Sequence, residues 1–406
     1  MQRDLRIDFV RGAGVLMIAA DHLPGLLHTA TGGPITSPFI TWMRLGWSSA
    51  AEFFVFFSGY LVGLIYMQTL RNQGVALTYA RAGHRAWQIY VANVLALCAV
   101  LILLRLPLFH SQPLEVATRL DVLGAGGATS ALIAFLTLQS APAFFEILHL
   151  YVALLFVAPL LLLVARRSIV AAIACSVAVW ACVQWNPSLN IASWNFNPFA
   201  WQLVFVLGMM CSVGRVLEKL TEAFGRRRLL IVSGSLLLLA LMVKVVDKAG
   251  WSLPLLGAID VTGIDRTTVG PLLLLHFVVS VVFVMQVVPR GQTIARSAAL
   301  ALVARVGQYS LECFCVSTVL VYAAVGWMSR TGYTGPLTIF VTGMLVMALI
   351  GLWAVLINWL RAQPWRSSSA AGAAQDSVSV PEATSPRTTM TDTRSIAAGN
   401  LPREPA

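Results

Sequence analysis

Residues 339–356 read IFVTGMLVMALIGLWAVL and contain no charged side chain. Two other stretches, Leu229 to Leu241 and Leu272 to Val288, are also dominated by apolar side chains. A helix needs ~20 such residues to cross ~30 Å of hydrocarbon. Since no water reaches that layer, the backbone must form its hydrogen bonds within the helix. These stretches therefore predict an all-α, polytopic integral membrane protein.

The composition of the whole chain agrees with this prediction. The 406 residues are 58% hydrophobic and 11% charged, whereas a soluble domain carries about 25% charged residues. The net charge of +11 does not indicate nucleic acid, because the arginines lie between apolar runs, as topology signals do. The six cysteines form no CxxC pair and no Cys/His cluster, so we expect no metal site. The expected environment is a lipid bilayer, and the oligomeric state is left open.

The apolar runs predict about ten transmembrane helices. The spans are 9–29, 50–70, 86–106, 143–165, 169–186, 199–217, 229–248, 269–288, 302–325 and 336–360. With the N-terminus in the cytoplasm, most arginines fall in cytoplasmic loops. The loops predicted on the opposite side contain few cations, chiefly Arg44, Arg119, Lys248, Arg266 and Arg330. This asymmetry predicts that both termini are cytoplasmic.

Two segments lie outside this pattern. Ala128 to Leu138 is apolar but short for a span, and counting it as a crossing would invert every later loop. We therefore predict that it is re-entrant or lies against the outer surface. Residues 366–406 are rich in Ser, Thr, Ala and Pro, which predicts a disordered cytoplasmic tail after a transmembrane domain over 1–365.

We expect no cleavable signal peptide, because the first apolar run lacks a convincing cleavage site.

The first predicted helix carries charged groups within its apolar run. Arg11 and His22 are eleven residues apart, which places them on one face about 16 Å apart along the helix axis. Asp8 lies one turn before Arg11, and Asp21 precedes His22. Charged groups inside a bilayer are costly and normally face a cavity or a partner. This favours a functional site over the simpler alternative of a snorkelling pair and an interfacial histidine.

The second predicted helix begins with Glu52 just inside the apolar run AAEFFVFFSGY over 50–60. Glu52 is a functional candidate, although a carboxylate at a helix start is also stabilised by the helix dipole. Ser58 and Gly59 allow a close backbone approach, which is a packing feature in many membrane helices.

Further polar clusters lie at the ends of three later spans. They are Arg85, Trp87 and Gln88; Glu146 and His149; and Asn197 and Trp201. Glu146 and His149 are three residues apart and therefore adjacent on a helix. Trp201 is also a candidate for an interfacial anchor. The sequence has no Gly-rich phosphate loop, HExxH motif or GxSxG elbow.

Together these blocks resemble a known family. The arrangement of Arg11 and His22 resembles the first-helix signature of the acyltransferase-3 superfamily of membrane O-acyltransferases, and the sequence SGY at 58–60 resembles its second-helix motif. RIDFVRG at 6–12, DHLPG at 21–25, RAWQIY at 85–90 and NPFAWQ at 197–202 resemble the OpgC-type proteins. These are succinyltransferases of osmoregulated periplasmic glucans, and the resemblance runs from residue 3 to about 360.

The resemblance implies a multi-pass protein of the bacterial inner membrane. It would move an acyl group, expected to be succinyl, from cytoplasmic acyl-CoA to a hydroxyl of a periplasmic glucan. His22 is the expected general base, because the ordinary pKa of histidine suits proton removal near neutral pH. Asp21 or Glu52 would orient it or balance its charge. Arg11 suits a CoA phosphate or the donor's carboxylate.

The remaining clusters receive roles from the same resemblance. Acyl-CoA, a co-substrate rather than a resident cofactor, would be bound by Arg11 together with Arg85, Trp87 and Gln88. Glycan binding would involve Glu146, His149, Asn197 and Trp201. We expect direct transfer, since no activated serine or cysteine is evident.

Two other functions stay open at this stage. One is acetyl transfer to another envelope polysaccharide, because the sequence does not reveal the size of the donor pocket. The other is a proton-coupled transporter, although the inverted repeats of many transporters are missing.

Overall fold

The computed structural model describes residues 4–118, 128–191, 194–249 and 264–363. Within these ranges every regular element is helical, which confirms the all-α prediction. The helices are α1 (Leu5–Thr31), α2 (Trp42–Leu45), α3 (Ala50–Arg105), α4 (Gln112–Ala117), α5 (Ala128–Leu136), α6 (Glu146–Arg167), α7 (Ile169–Trp185), α8 (Pro198–Gly214), α9 (Val216–Phe224), α10 (Arg226–Lys248), α11 (Pro271–Val287), α12 (Gly291–Arg296), α13 (Ala298–Gln308), α14 (Ser310–Thr331) and α15 (Pro336–Ala362).

The chain divides into two units, Met1–Asn358 and Trp359–Ala406. The first unit contains all the side chains that form the candidate site. The second is described only as far as Gln363, so the predicted tail at 366–406 lies outside the described residues.

Five helices in the described ranges are long and apolar enough to cross a membrane, as the prediction of a membrane protein requires. They are Ala50–Arg105, Glu146–Arg167, Arg226–Val246, Ser310–Thr331 and Pro336–Ala362. The pair α8 and α9, bent by 66°, would make a sixth. The shorter apolar helices α7 and α11 coincide with the predicted spans 169–186 and 269–288. The count of about ten crossings and the cytoplasmic termini stay predictions.

One predicted span is wrong as a continuous helix. The segment 302–325 is divided between α13 and α14, which meet at Tyr309, where φ is −109° and ψ is 37°. Tyr309 donates a hydrogen bond through its hydroxyl to Asn358 Oδ1 at 3.0 Å. Polar contacts at this junction therefore accompany a break that the apolar pattern alone does not reveal.

The segment that fitted no span forms the short helix α5. Its nine residues cover about 14 Å, half of the hydrocarbon thickness. The Tyr90 hydroxyl donates to the Leu136 carbonyl at 3.0 Å and holds the end of α5 against α3. Over its described residues this helix is too short to cross the hydrocarbon layer by itself.

Helix α3 consists of two arms that fold back on each other at Gly74. Gly74 has φ of 86°, a left-handed conformation that glycine adopts without strain. The Tyr66 hydroxyl donates to the Arg81 carbonyl at 3.4 Å, and Arg81 Nη1 donates to Thr69 Oγ1 at 2.8 Å. In a straight helix residues 66 and 81 would be about 22 Å apart, so the hydrogen bond between them requires the chain to reverse its direction between the two arms. The two arms correspond to the predicted spans 50–70 and 86–106.

The first arm of α3 lies in backbone contact with α8. A Cβ added to Gly59 would lie 2.0 Å from the Phe205 carbonyl oxygen, and one added to Gly208 would lie 1.9 Å from that of Phe56. Small residues permit such close approach between membrane helices. The contact fixes the position of the α3 N-terminus relative to α8, and both elements contribute to the site.

Helix α1 meets α13 in the same way. A Cβ on Gly12 would lie 1.8 Å from the Val303 carbonyl oxygen, and one on Gly307 would lie 1.8 Å from that of Asp8. Each glycine lies directly against the backbone of the other helix, so the two helices pack with no side chain between them at this point. The contact holds α1, which carries the candidate site, against its neighbour.

We expect Gly12→Ala to lower the melting temperature of the purified protein by several degrees, because the added methyl group overpacks the contact with Val303 and costs about 1–3 kcal/mol. Gly14→Ala is the matched control on the same helix, since a Cβ there meets no atom within 4 Å. Thermal unfolding in detergent followed by tryptophan fluorescence measures both. Equal melting temperatures for the two variants would contradict a direct α1–α13 contact.

Candidate functional site

His22 lines a cavity of about 350 Å³, called here the His22 cavity. Asp21 on α1, Glu52 at the start of α3, Trp201 on α8 and Arg266 between α10 and α11 also line it. Asp21 and His22 both reach the cavity, although their side chains leave the helix about 100° apart. The structure therefore brings together the three residues predicted to be catalytic.

The His22 ring is stacked on the ring of Phe144. Their centroids are 3.6 Å apart and their planes differ by 11°. Phe144 also has φ of 74°, a backbone conformation that is sterically unfavourable for a bulky residue. Such strain persists only where surrounding contacts enforce it, and it is concentrated at functional sites. One face of the imidazole is thus covered by an aromatic ring on the segment before α6.

Glu52 belongs to a capping box at the N-terminus of α3. Its Oε2 accepts hydrogen bonds from the Ser49 backbone N–H at 2.8 Å and from the Ser49 hydroxyl at 2.5 Å. The side chain is fully buried, and Oε1 has no hydrogen-bond partner among the described residues. One oxygen therefore stabilises the helix, as the simpler interpretation required, while the other is buried and lacks the partner that a ligand or a water molecule would supply.

Asp21 is held by the loop that precedes α2. Its Oδ1 accepts a hydrogen bond from the Thr41 hydroxyl at 2.6 Å. The carboxylate is half-buried and lines the cavity. Its orientation is therefore fixed by Thr41, a residue to which the sequence analysis gave no role.

Arg11 lines a separate cavity of about 250 Å³, called here the Arg11 cavity. Arg85, on the second arm of α3, also lines it. Arg11 Nη2 donates to Ser310 Oγ at 2.6 Å, and the Tyr151 hydroxyl donates to Ser58 Oγ at 3.0 Å. Two of the four residues predicted to bind acyl-CoA therefore share one cavity.

The other two predicted acyl-CoA ligands lie at the surface. Trp87 is 61% exposed and stacks on Tyr90 with ring centroids 5.7 Å apart. Gln88 is exposed and accepts a hydrogen bond from Arg85 Nη1 at 3.0 Å. Neither residue lines the Arg11 cavity, so in this conformation their contribution would be at most indirect.

Glu146 and His149 are buried rather than open to an acceptor. Both oxygens of Glu146 accept hydrogen bonds from Asn195 Nδ2, at 2.9 and 2.6 Å. The His149 ring lies 4.9 Å from that of Phe135 and 6.3 Å from that of Trp194. Neither residue lines the His22 cavity, so in this conformation they support the segment around Trp194.

Asn197 and Trp201 have different environments. Asn197 caps α8, since its Oδ1 accepts from the Phe199 N–H at 2.9 Å and its Nδ2 donates to the Leu189 carbonyl at 3.0 Å. Trp201 is 1% exposed and lines the His22 cavity. Of the four residues predicted to bind the acceptor, only Trp201 lines that cavity.

Arg266 is the residue at this cavity to which sequence reasoning gave no functional role. Three contacts fix the backbone around it: Trp201 Nε1 donates to the Arg266 carbonyl at 2.9 Å, Gln184 Nε2 to that of Thr268 at 2.7 Å, and Trp180 Nε1 to that of Val269 at 2.8 Å. The only sequence signal was its place among the few cations predicted outside. Its approach to α1 depends on long-range contacts that no local pattern encodes.

The His22 cavity thus combines an imidazole, two carboxylates and a guanidinium. Such groups can move a proton and stabilise developing charge. The described residues include no group of three or more His, Cys, Asp or Glu side chains that could hold a metal ion.

Comparison with known families identifies the chain. The profile of the family described as OpgC protein matches residues 3–362. No curated protein and no solved structure matches the chain. The match covers nearly the whole chain and includes α1 to α15, so the resemblance to the OpgC-type proteins is confirmed. The chain belongs to the OpgC family.

Proposed function

We propose that this protein is a membrane O-acyltransferase of the acyltransferase-3 type, located in the bacterial inner membrane. It transfers a succinyl or similar acyl group from acyl-CoA to hydroxyls of a periplasmic glucan. Membership of the OpgC family implies a transferase that acts in the modification of osmoregulated periplasmic glucans. The identity of the donor, the acceptor and the base is our proposal.

The observation that carries the proposal is the shared cavity of His22 and Glu52. Both side chains line one cavity, and an imidazole together with a buried carboxylate is a pair of groups that general-base catalysis commonly uses. The cavity is large enough for a small ligand group, since typical ligand pockets begin at about 300 Å³.

The Arg11 cavity supports binding of the donor near the start of α1, about three helical turns before His22. Guanidinium groups bind phosphates and carboxylates through paired hydrogen bonds. Arg11 and His22 are about 16 Å apart along α1, a separation that suits the extended pantetheine arm of CoA. We infer that the nucleotide end lies towards Arg11 and Arg85 and that the thioester lies at His22.

The proposed reaction transfers the acyl group directly from the thioester to the sugar hydroxyl, without an acyl-enzyme. His22 accepts the proton of the sugar hydroxyl while the hydroxyl oxygen attacks the thioester carbonyl. The tetrahedral intermediate collapses with cleavage of the C–S bond, and His22 returns the proton to the CoA sulfur. The products are an ester and free CoA, so atoms and charges balance. Glu52 or Asp21 stabilises the imidazolium that exists between the two proton transfers.

An acyl-enzyme on Ser58 is not part of this proposal. Ser58 Oγ accepts its hydrogen bond from Tyr151, at 3.0 Å, in the Arg11 cavity rather than in the His22 cavity. A tyrosine hydroxyl in its neutral form is a poor base for activating serine. Ser58→Ala is therefore expected to remain active.

The test uses purified protein in proteoliposomes with succinyl-CoA and neutral periplasmic glucan. We expect wild type and Ser58→Ala to produce anionic, succinyl-shifted glucan, measured by anion exchange and mass spectrometry, with release of free CoA. Free CoA without any glucan product would contradict the glucan acceptor. Glucan movement across the membrane without an acyl product would instead indicate a transporter.

A further inference from the structure

Arg266 projects into the His22 cavity with weak contacts for a guanidinium. Its Nη2 donates to the Trp47 carbonyl at 3.3 Å, and its Nη1 contacts Met43 Sδ at 3.6 Å. A thioether sulfur is a weak acceptor, so the group is not saturated by good partners. Lys244 is different, since its Nζ donates to the backbone carbonyls of Met43, at 2.6 Å, and Gly46.

The carboxylates of the same cavity do not neutralise Arg266 by contact. Asp21 and Glu52 line the same cavity as Arg266, yet Arg266 makes no ion pair with any residue in the described ranges. Asp21 is instead bonded to Thr41, and Glu52 to Ser49. Among the described residues this half-buried guanidinium has no paired anion, an arrangement that is costly unless a ligand supplies one. The arrangement favours an anion that arrives with the substrate.

The backbone that carries this guanidinium is held by hydrogen bonds. The Arg266 carbonyl accepts from buried Trp201, and the Asn197 N–H donates to the Thr267 carbonyl at 3.0 Å. A side chain presented from an anchored backbone loses less entropy when it binds its ligand. Arg266 is therefore carried on an anchored segment of the cavity wall.

We propose that Arg266 binds the free carboxylate of a dicarboxylic acyl group while the acyl carbonyl is attacked at His22. This inference rests on the proposed acyl transfer and adds a residue that selects the acyl group. A guanidinium matches a carboxylate through two parallel hydrogen bonds, whereas a methyl group at the same place would leave the arginine unpaired. Arg266 thus favours an acyl group that ends in a carboxylate over an uncharged one of equal length.

The test compares succinyl-CoA with butyryl-CoA, in which a methyl group replaces the terminal carboxylate. For Arg266→Gln we expect kcat/KM with succinyl-CoA to fall about 10- to 100-fold, as for loss of a charge-assisted pair. The rate with butyryl-CoA stays equal or rises, so the butyryl-to-succinyl ratio increases. Arg330→Gln, at an exposed arginine of α14 that does not line the cavity, should leave both rates unchanged.

Each other outcome overturns the inference. If Arg266→Gln lowers both rates equally, Arg266 supports the fold or stabilises the oxyanion and does not select the acyl group. If neither rate changes, Arg266 does not contact the substrate. If the wild-type protein transfers no acyl group from either donor, the proposed function is wrong, and the role proposed for Arg266 is wrong as well. Elution of both variants as wild type in size-exclusion chromatography establishes that they are folded.

Discussion

Replacing His22 by alanine is expected to lower kcat for acyl transfer by about 10²–10⁴-fold, the usual contribution of a general base. The substitution removes the proton acceptor and leaves the Arg11 cavity intact. The KM for acyl-CoA should therefore change little. Initial rates of CoA release in proteoliposomes measure both constants. Added imidazole is expected to restore part of the rate, because the vacated space beside Phe144 is the size of the missing ring.

The control for this prediction is His28→Ala on the same helix. His28 is exposed, and its Nδ1 lies 2.6 Å from the Gly33 carbonyl oxygen, outside the His22 cavity. It should retain wild-type rates. A His22→Ala protein that is folded and fully active would remove His22 as the base.

Replacing Glu52 by glutamine is expected to separate the two roles of this side chain. Glutamine also serves in a capping box, so its side-chain oxygen can accept the hydrogen bonds from Ser49 and the melting temperature should stay within one or two degrees of wild type. It cannot balance the charge of a protonated His22. We therefore expect kcat to fall about 10²-fold or more with the KM for acyl-CoA unchanged.

Glu52→Ala provides the comparison, because it removes both the cap and the charge. It should lose activity and also about 1 kcal/mol of stability. Equal activity of wild type and Glu52→Gln would reduce Glu52 to a helix cap. The two variants therefore distinguish a structural carboxylate from one that takes part in the reaction.

Some features of this site could be predicted from single helices. The spacing of Arg11 and His22, and the position of Glu52 just inside an apolar run, indicated a site before any tertiary contact was known. The structure places His22 and Glu52 in one cavity and Arg11 in another, at separate positions along α1. The spacing within single helices thus identified side chains that line cavities, but it did not predict that Arg11 and His22 line different ones.

Contacts between distant segments could not be predicted in this way. Arg266 reaches the cavity only because Trp180, Gln184 and Trp201, on two other helices, bind the backbone around it. Glu146 and His149 are likewise buried away from the His22 cavity. The hydrophobic pattern of the sequence does not predict this burial. Local sequence indicates which groups are costly in a membrane, and tertiary packing determines which of them share a cavity.

At Phe144 an unfavourable backbone conformation lowers the stability of the protein, while the side chain covers the catalytic candidate His22. A φ of 74° at a residue other than glycine costs about 1–3 kcal/mol. Replacing Phe144 by glycine would remove this cost, but it would also uncover the imidazole of His22. Stabilising substitutions are readily found in natural proteins, and their recurrent cost is lost function at strained sites. The segment before α6 is therefore a poor target for thermostabilisation: the sequence that folds best there is not the one that keeps the general base shielded.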